Sequence, residues 1–143
     1  MTLIAERQVE RERLAARSAN ACLFCDTSPL TTLFYSQELF GRASPRLEAL
    51  ATRRYDITVL CSADFPFVQD GTRRDRAFRE QQTRWYQQAL TERGVPFVSV
   101  GGTIEQRIAT TVAALHGLRA SAFNARADAR GSPSAAAVSA RGD

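Results

Sequence analysis

Asp56-Ile57-Thr58-Val59-Leu60-Cys61-Ser62 is a short apolar run that breaks abruptly into the acidic, Pro-containing stretch Ala63-Asp64-Phe65-Pro66-Phe67-Val68-Gln69-Asp70-Gly71-Thr72-Arg73-Arg74. A run of this length, bounded by turn residues, reads as a buried strand that empties into a loop. Downstream, Asp75 to Arg93 contains neither Gly nor Pro, spaces Phe78, Trp85, Tyr86 and Leu90 as apolar contacts, and stops at Gly94. That is the signature of a helix with a glycine stop. Pro96 to Val100 reads as a further strand. Gly101-Gly102-Thr103 then makes a tight turn into a helix over about Ile104 to Leu118, where Ile104, Ile108, Val112 and Leu115 recur at helical spacing. Strand, long crossover helix and strand together predict an α/β fold with a parallel sheet, in which ligands sit beyond the carboxyl ends of the strands.

The same alternation extends upstream. Ala21 to Cys25 is a compact apolar run ending at Asp26-Thr27-Ser28-Pro29, and reads as a third buried strand. Leu30 to Phe40 forms a helix with Leu33, Phe34 and Phe40 on its apolar side, stopped by Gly41, and Ser44-Pro45 caps a short helix through about Thr52. From Thr2 to about Ala19, Leu3, Ile4, Val9 and Leu14 are set among Glu and Arg, which predicts a largely solvated amphipathic helix. Glu6 with Arg13, and Glu10 with Arg11 and Arg13, are its surface pairs. After Leu118 the composition collapses to Ala, Ser, Gly, Arg and Asp, so residues 1–118 are read as the domain and 119–143 as a disordered tail. The polar loops Asp26-Thr27, Asp64 to Arg74 and Gly101 to Thr103 fall at the carboxyl ends of the three strands, and a ligand site is expected there.

Bulk properties narrow the function classes. At 143 residues, 44% hydrophobic and 24% charged, the chain has the make-up of one soluble domain. Its longest apolar stretches, Ile57 to Cys61 and Val95 to Val100, are too short to cross a bilayer, and the N-terminus turns charged before a signal segment can form. A cytoplasmic location without a membrane partner is the expectation. The net charge of +4 is spread among acidic neighbours rather than gathered in a patch, which argues against a nucleic-acid partner. Cys22, Cys25 and Cys61 lie in the apolar runs and read as reduced core thiols. Cys22 and Cys25 form a C-x-x-C, but without a second pair, and with His116 distant, they do not close a zinc site.

Two segments carry chemistry. An apolar run ending in Asp, as in Leu23-Phe24-Cys25-Asp26-Thr27, can fix a carboxylate where it holds Mg²⁺ directly or through water. Asp at such a point is also a common loop opener, and Asp26 could equally cap the helix beginning near Leu30. The loop from Asp64 to Arg74 combines carboxylates, aromatics and paired Arg, and the guanidinium fork matches phosphoryl oxygens. Placed over a ligand, such a loop would also expel water. Arg74 and Arg76 are read as solvated, with Asp70 and Asp75 favouring a helix N-terminus.

In order and spacing, Leu23-Phe24-Cys25-Asp26-Thr27, Leu30-Thr31-Thr32, Tyr55 to Leu60, Asp64 to Arg73 and Gly94-Val95-Pro96-Phe97-Val98-Ser99-Val100-Gly101 resemble the NadR-type P-loop ATPase and ribosylnicotinamide kinase family. The likeness runs from about Thr2 to Leu118, with Gln8, Thr103, Glu105 and Arg107 also at family-like positions. It implies a three-layer P-loop kinase fold, ATP with Mg²⁺ as cofactors, and transfer of the terminal phosphoryl group to a small nucleoside-like acceptor in NAD metabolism. By the same resemblance Asp26 is the catalytic carboxylate and metal ligand, and Arg73 is the catalytic and nucleotide-binding arginine. Thr27, Asp64, Phe67 and Asp70 contact the acceptor, while Gly101, Gly102 and Thr103 lie against the nucleotide. Phe67 stands where the family commonly has Trp; ring stacking would survive and an indole N–H contact would not.

The family's glycine-rich phosphate loop, G-x-x-x-x-G-K-[ST], is not in this sequence, which contains no Lys at all. The expectation is therefore an incomplete domain that begins within a longer reading frame and is a poor catalyst as it stands. The family's central strand would be missing between the run ending at Asp26 and the run ending at Ser62. A homo-oligomer or a strand-completing partner, with the chain acting as a non-catalytic nucleotide-binding or regulatory module, is the alternative expectation.

Overall fold

A computed structural model describes residues 1–65 and 75–131. The elements run α1 (Thr2–Ala16), α2 (Pro29–Phe40), α3 (Pro45–Leu50), β1 (Thr58–Cys61), α4 (Arg76–Glu92), β2 (Phe97–Val100) and α5 (Ile104–Gly131). The chain divides into two compact units, Met1–Gly101 and Gly102–Asp143.

In the first unit, β1 and β2 pair in parallel from Thr58 opposite Phe97 to Cys61 opposite Val100. Thr58 N–H donates to Pro96 O at 2.9 Å and Ser62 N–H to Val100 O at 2.8 Å, closing the ladder at both ends. The α/β class and these two strands agree with the sequence reading. The third expected strand does not form. Residues 21–25 take no regular structure and join no ladder, Phe24 is 74% exposed and Leu23 41%, and the sheet has two strands. An apolar run becomes a strand only where a neighbour accepts its backbone groups, and among the described residues none does so here. The core assignment of the cysteines falls with it: Cys22 and Cys61 are exposed, and Cys25 is only partly covered.

Local signals place the helices well. Pro29 opens α2, and Gly41 closes it in the left-handed region (φ 64°) with its N–H on Gln37 O at 2.8 Å. Ser44 Oγ accepts from Leu47 N–H at 3.2 Å to cap α3, and Asp75 Oδ1 accepts from Phe78 N–H at 2.8 Å to cap α4.

The core gathers Ala5 of α1, Leu30 and Leu33 of α2, Leu47 and Ala51 around α3, and Ala89 and Leu90 of α4. Phe34 is fully buried and sits among Trp85, Phe78 and Tyr86, with centroid distances of 5.1, 5.7 and 5.8 Å. Tilted ring pairs of this kind add to the area they bury. Phe40, expected on the same side, is exposed.

α1 packs differently from its sequence pattern. Leu3, Ile4 and Leu14 are exposed, while Ala5 and Glu12 are buried. Glu12 is 7% exposed; its carboxylate accepts from Arg53 Nε at 3.0 Å and from Tyr55 OH at 3.0 and 3.1 Å. A buried carboxylate is tolerable when it is paired and hydrogen-bonded in this way. Of the expected surface pairs, Glu10 with Arg13 forms at 2.9 Å, whereas Glu6 instead meets Arg46 of α3 at 2.9 Å. Arg46 lies across the α1–α3 packing, so the sequence distance gave no hint of it.

In the second unit α5 continues to Gly131, past the helix end near Leu118 read from composition. Ala and Arg, frequent in that stretch, are among the strongest helix formers. Ile104, Ile108 and Val112 are exposed.

Replacing Phe34 by Ala empties the aromatic cluster and is expected to lower stability by about 3–5 kcal/mol, read from urea unfolding. Two tyrosines tie stability to alkaline pH. Burial pushes Tyr86 up to about 12; burial, and then the Glu12 carboxylate, push Tyr55 above the ordinary phenol value. A raised phenol pKa favours the neutral form in the folded state. The stabilisation is therefore complete below about pH 10, the unfolded value, and is lost as pH rises through the folded value. Phenolate absorbance should show both groups ionising together with unfolding, and at their ordinary pH in denaturant.

Candidate functional site

The chain beyond β1 and the chain leaving β2 meet. Ser62 is tied to Val100 by the last ladder bond, and Asp64 follows two residues later. A Cβ built on Gly101 would lie 2.6 Å from Asp64 Oδ2 and 3.5 Å from both Cβ and Oγ of Ser62. A side chain at Gly101 would therefore have to displace the Asp64 carboxylate from its present place. On its other side Asp64 lines a groove of about 320 Å³ with Ala63, Glu80, Thr83 and Arg84.

Arg79 of α4 secures this corner. One of its terminal nitrogens, Nη2, donates to Ala63 O at 3.0 Å and to Phe65 O at 2.9 Å. Its guanidinium carbon lies 5.0 Å from the centroid of the Phe65 ring. A planar guanidinium does both at once while lying over the ring. The sequence offered no way to single out Arg79 from Arg74, Arg76 or Arg84 on neighbouring turns.

Asp26 and Thr27 sit against α1. Gln8, Arg11, Glu12 and Ala15 form one wall of a groove of about 270 Å³, and Leu23 to Asp26 form the other. Gln8 Nε2 donates to Thr27 Oγ1 at 3.5 Å, bringing together two of the positions singled out in the sequence. Thr27 has φ 64°, the one non-glycine residue with positive φ among the described residues. For a β-branched side chain this is a strained conformation, and such strain persists only where the surroundings impose it. Asp26 does not cap the following helix, because Ser28 occupies the N-cap position of α2. Burial, and then the Glu12 carboxylate, push the Cys25 thiol up, which makes it a poorer nucleophile.

The turn that follows β2 continues into the second unit. Gly102 has φ 79°, and a Cβ there would collide with the Gln106 side-chain amide. Thr103 and Gln106 form a reciprocal cap, with Thr103 N–H on Gln106 Oε1 at 2.8 Å and Gln106 N–H on Thr103 Oγ1 at 3.3 Å. Backbone and Thr103 hydrogen bonds hold the Glu105 carboxyl below its usual range. Arg107 Nε donates to Gly102 O at 3.0 Å. Phe67, Asp70 and Arg73 lie outside the described residues.

The geometry can be set beside known proteins. The family model described as an AAA domain matches residues 1–107. The chain belongs to the AAA-domain family. Searches of curated proteins and of solved structures returned no match. AAA domains of this kind are P-loop nucleotide-binding domains, and the matched span contains both the Asp26-Thr27 corner and the Asp64 corner. Among the described residues of this AAA-family chain, no three His, Cys, Asp or Glu side chains gather as a metal cage, and no helix is long and apolar enough to cross a membrane. One carboxylate at Asp26 does fit Mg²⁺ in the way the ion is held beside nucleotides, through one or two carboxylates, water and phosphate oxygens.

The strain at Thr27 can be weighed directly. Thr27→Gly and Thr27→Val both remove the hydroxyl, but only Gly accepts positive φ freely. The Gly variant should be the more stable of the two by about 1–2 kcal/mol in chemical denaturation, and equal stabilities would show that Thr27 is not held in that conformation.

Proposed function

We propose that this chain is the metal-binding and acceptor-binding portion of a P-loop kinase with the three-layer fold, acting on a ribosylnicotinamide-like nucleoside in NAD metabolism. The observation that carries this reading is the Asp26-Thr27 corner: a carboxylate at the end of an apolar segment, followed by a strained threonine held by Gln8, within the span that matches the AAA domain. ATP with Mg²⁺, when bound, supplies the transferable phosphoryl group. Asp26 is the carboxylate that holds the metal or orients the acceptor hydroxyl, and Thr27 offers a hydroxyl beside it. Asp64 accepts hydrogen bonds from acceptor hydroxyls at the carboxyl end of β1, with Phe67 stacking on the base and Asp70 on the ribose side. Arg73 closes on the phosphoryl oxygens through its planar fork, while Gly101, Gly102 and Thr103 line the nucleotide.

The catalytic reading requires a glycine-rich phosphate loop, which these 143 residues do not contain. It is tested by fusing a strand with a glycine-rich phosphate loop ahead of Met1 and assaying phosphoryl transfer from ATP to nicotinamide riboside. Asp26→Ala should abolish transfer, and Arg73→Ala should slow it by about 10²-fold or more, the usual cost of a group that stabilises transition-state charge. Near-normal turnover in either variant would remove that residue from its role.

The outer edge of β1 favours a second reading. In the β1–β2 register Thr58 and Leu60 direct their backbone groups toward β2, and those of Val59 and Cys61 point away from it. With Val59 and Cys61 also exposed, the edge could accept a strand from a partner or a second copy, giving a non-catalytic nucleotide-binding module. Sedimentation separates the readings, since a stable monomer of the purified chain would argue against strand borrowing.

A further inference from the structure

We propose that Arg79 is a positioning residue, which sets the Asp64 carboxylate over Gly101 by gripping the backbone on both sides of Asp64, so that the carboxylate meets the hydroxyls of the acceptor. The inference rests on the acceptor-binding reading of Asp64 given above, and adds a residue that neither motif nor spacing singled out.

Ala63 and Phe65 flank Asp64, and the same nitrogen, Nη2 of Arg79, donates to both carbonyls, at 3.0 and 2.9 Å. Each of its two N–H groups has an acceptor, so the peptide plane before Asp64 and the one after Phe65 are both constrained. The Phe65 ring lies under the guanidinium at 5.0 Å, which adds a cation–π contact and fixes the plane of the fork. On the far side the carboxylate rests where a side chain at Gly101 would be, 2.6 Å from the position of a Cβ. Asp64 is therefore held between an arginine clamp on its backbone and a glycine beneath its side chain. The clamp comes from α4, one turn after the Asp75 cap, so the same helix that crosses from β1 to β2 also fixes the carboxylate at their common end. A carboxylate fixed in this way is suited to accept hydrogen bonds from sugar hydroxyls, because its orientation is settled before the acceptor arrives.

Two measurements on the chain test this, one with ligand and one without. In calorimetry with nicotinamide riboside, Arg79→Gln and Asp64→Asn should each weaken binding about tenfold, a loss of about 1.4 kcal/mol. The double variant should be no weaker than either single one, because both act through one carboxylate. Arg79→Lys, which keeps the charge but neither the fork nor the stacking, should recover only part of the loss. Multiplicative losses in the double variant would overturn the proposal even if Asp64 binds the acceptor.

The ligand-free arm uses Gly101→Ala, whose methyl group runs into the Asp64 carboxylate. It should lower the thermal midpoint in the wild-type background and by clearly less when Arg79 is Gln, since the backbone around Asp64 is then less constrained. An undiminished penalty in the Arg79→Gln background would also overturn the proposal. If nicotinamide riboside does not bind the wild-type chain, the acceptor reading fails, while this second arm still decides whether Arg79 positions Asp64. Should Arg79→Gln not fold, the same cycle is run with Arg79→Lys, for which a smaller but non-zero relief is expected, and no relief would count against the clamp.

Discussion

The parallel pairing of Thr58–Cys61 with Phe97–Val100 is the constraint on which the positions of the other parts of the first unit depend. Parallel strands cannot be joined by a tight turn, so a long crossover is required, and α4 provides it. Once the two strands lie side by side in register, their carboxyl ends coincide. The chain after Ser62 and the chain after Val100 must then emerge together, which is why Asp64 ends up against Gly101. The ladder is only four residue pairs long, and its helical side is held by the aromatic cluster around Phe34 and by Leu90 and Trp85 near the start of β2.

Much of this was legible in the residues. The helix limits near Pro29, Gly41, Ser44, Asp75 and Gly94 follow from local rules for caps, proline and left-handed glycine, which act over a few residues and need no tertiary partner. The two paired strands could be read for a related reason, since the helix between them announced a crossover. What failed was anything that depended on a neighbour distant in sequence. Leu23, Phe24 and Cys25 have the composition of a strand, yet a strand is a relation between two segments, and the described residues include none that pairs with them. Nothing in the sequence singled out Glu12, because the residues that make its burial tolerable, Arg53 and Tyr55, lie some forty positions away.

The site was legible in type and only partly in arrangement. Asp26, Thr27, Asp64 and the glycine turn were each visible as polar residues at the ends of apolar runs. The contacts that give them meaning were not. Gln8 meets Thr27 from a helix nineteen residues earlier, and Arg79 meets Ala63 and Phe65 from a helix that begins beyond the loop. A sequence in which every basic residue is arginine hides such a residue especially well, because charge alone does not distinguish a clamp from a solvated side chain.

Two of the positions read as functional in the first unit are constrained by what surrounds them. Thr27 adopts a backbone conformation that β-branched residues avoid, and Gly101 is placed where any side chain would strike a carboxylate. Elsewhere among the described residues of that unit positive φ is confined to glycines that end helices, Gly41 and Gly94, where no side chain is opposed and the conformation costs little. Folds gain nothing from strain at an arbitrary loop, so strain that coincides with a candidate carboxylate is what a binding corner would be expected to retain. The glycines that stop helices have nothing against them, whereas Gly101 lies against the Asp64 carboxylate and Thr27 against Gln8. The two kinds of exception are told apart by what lies within reach of the side chain.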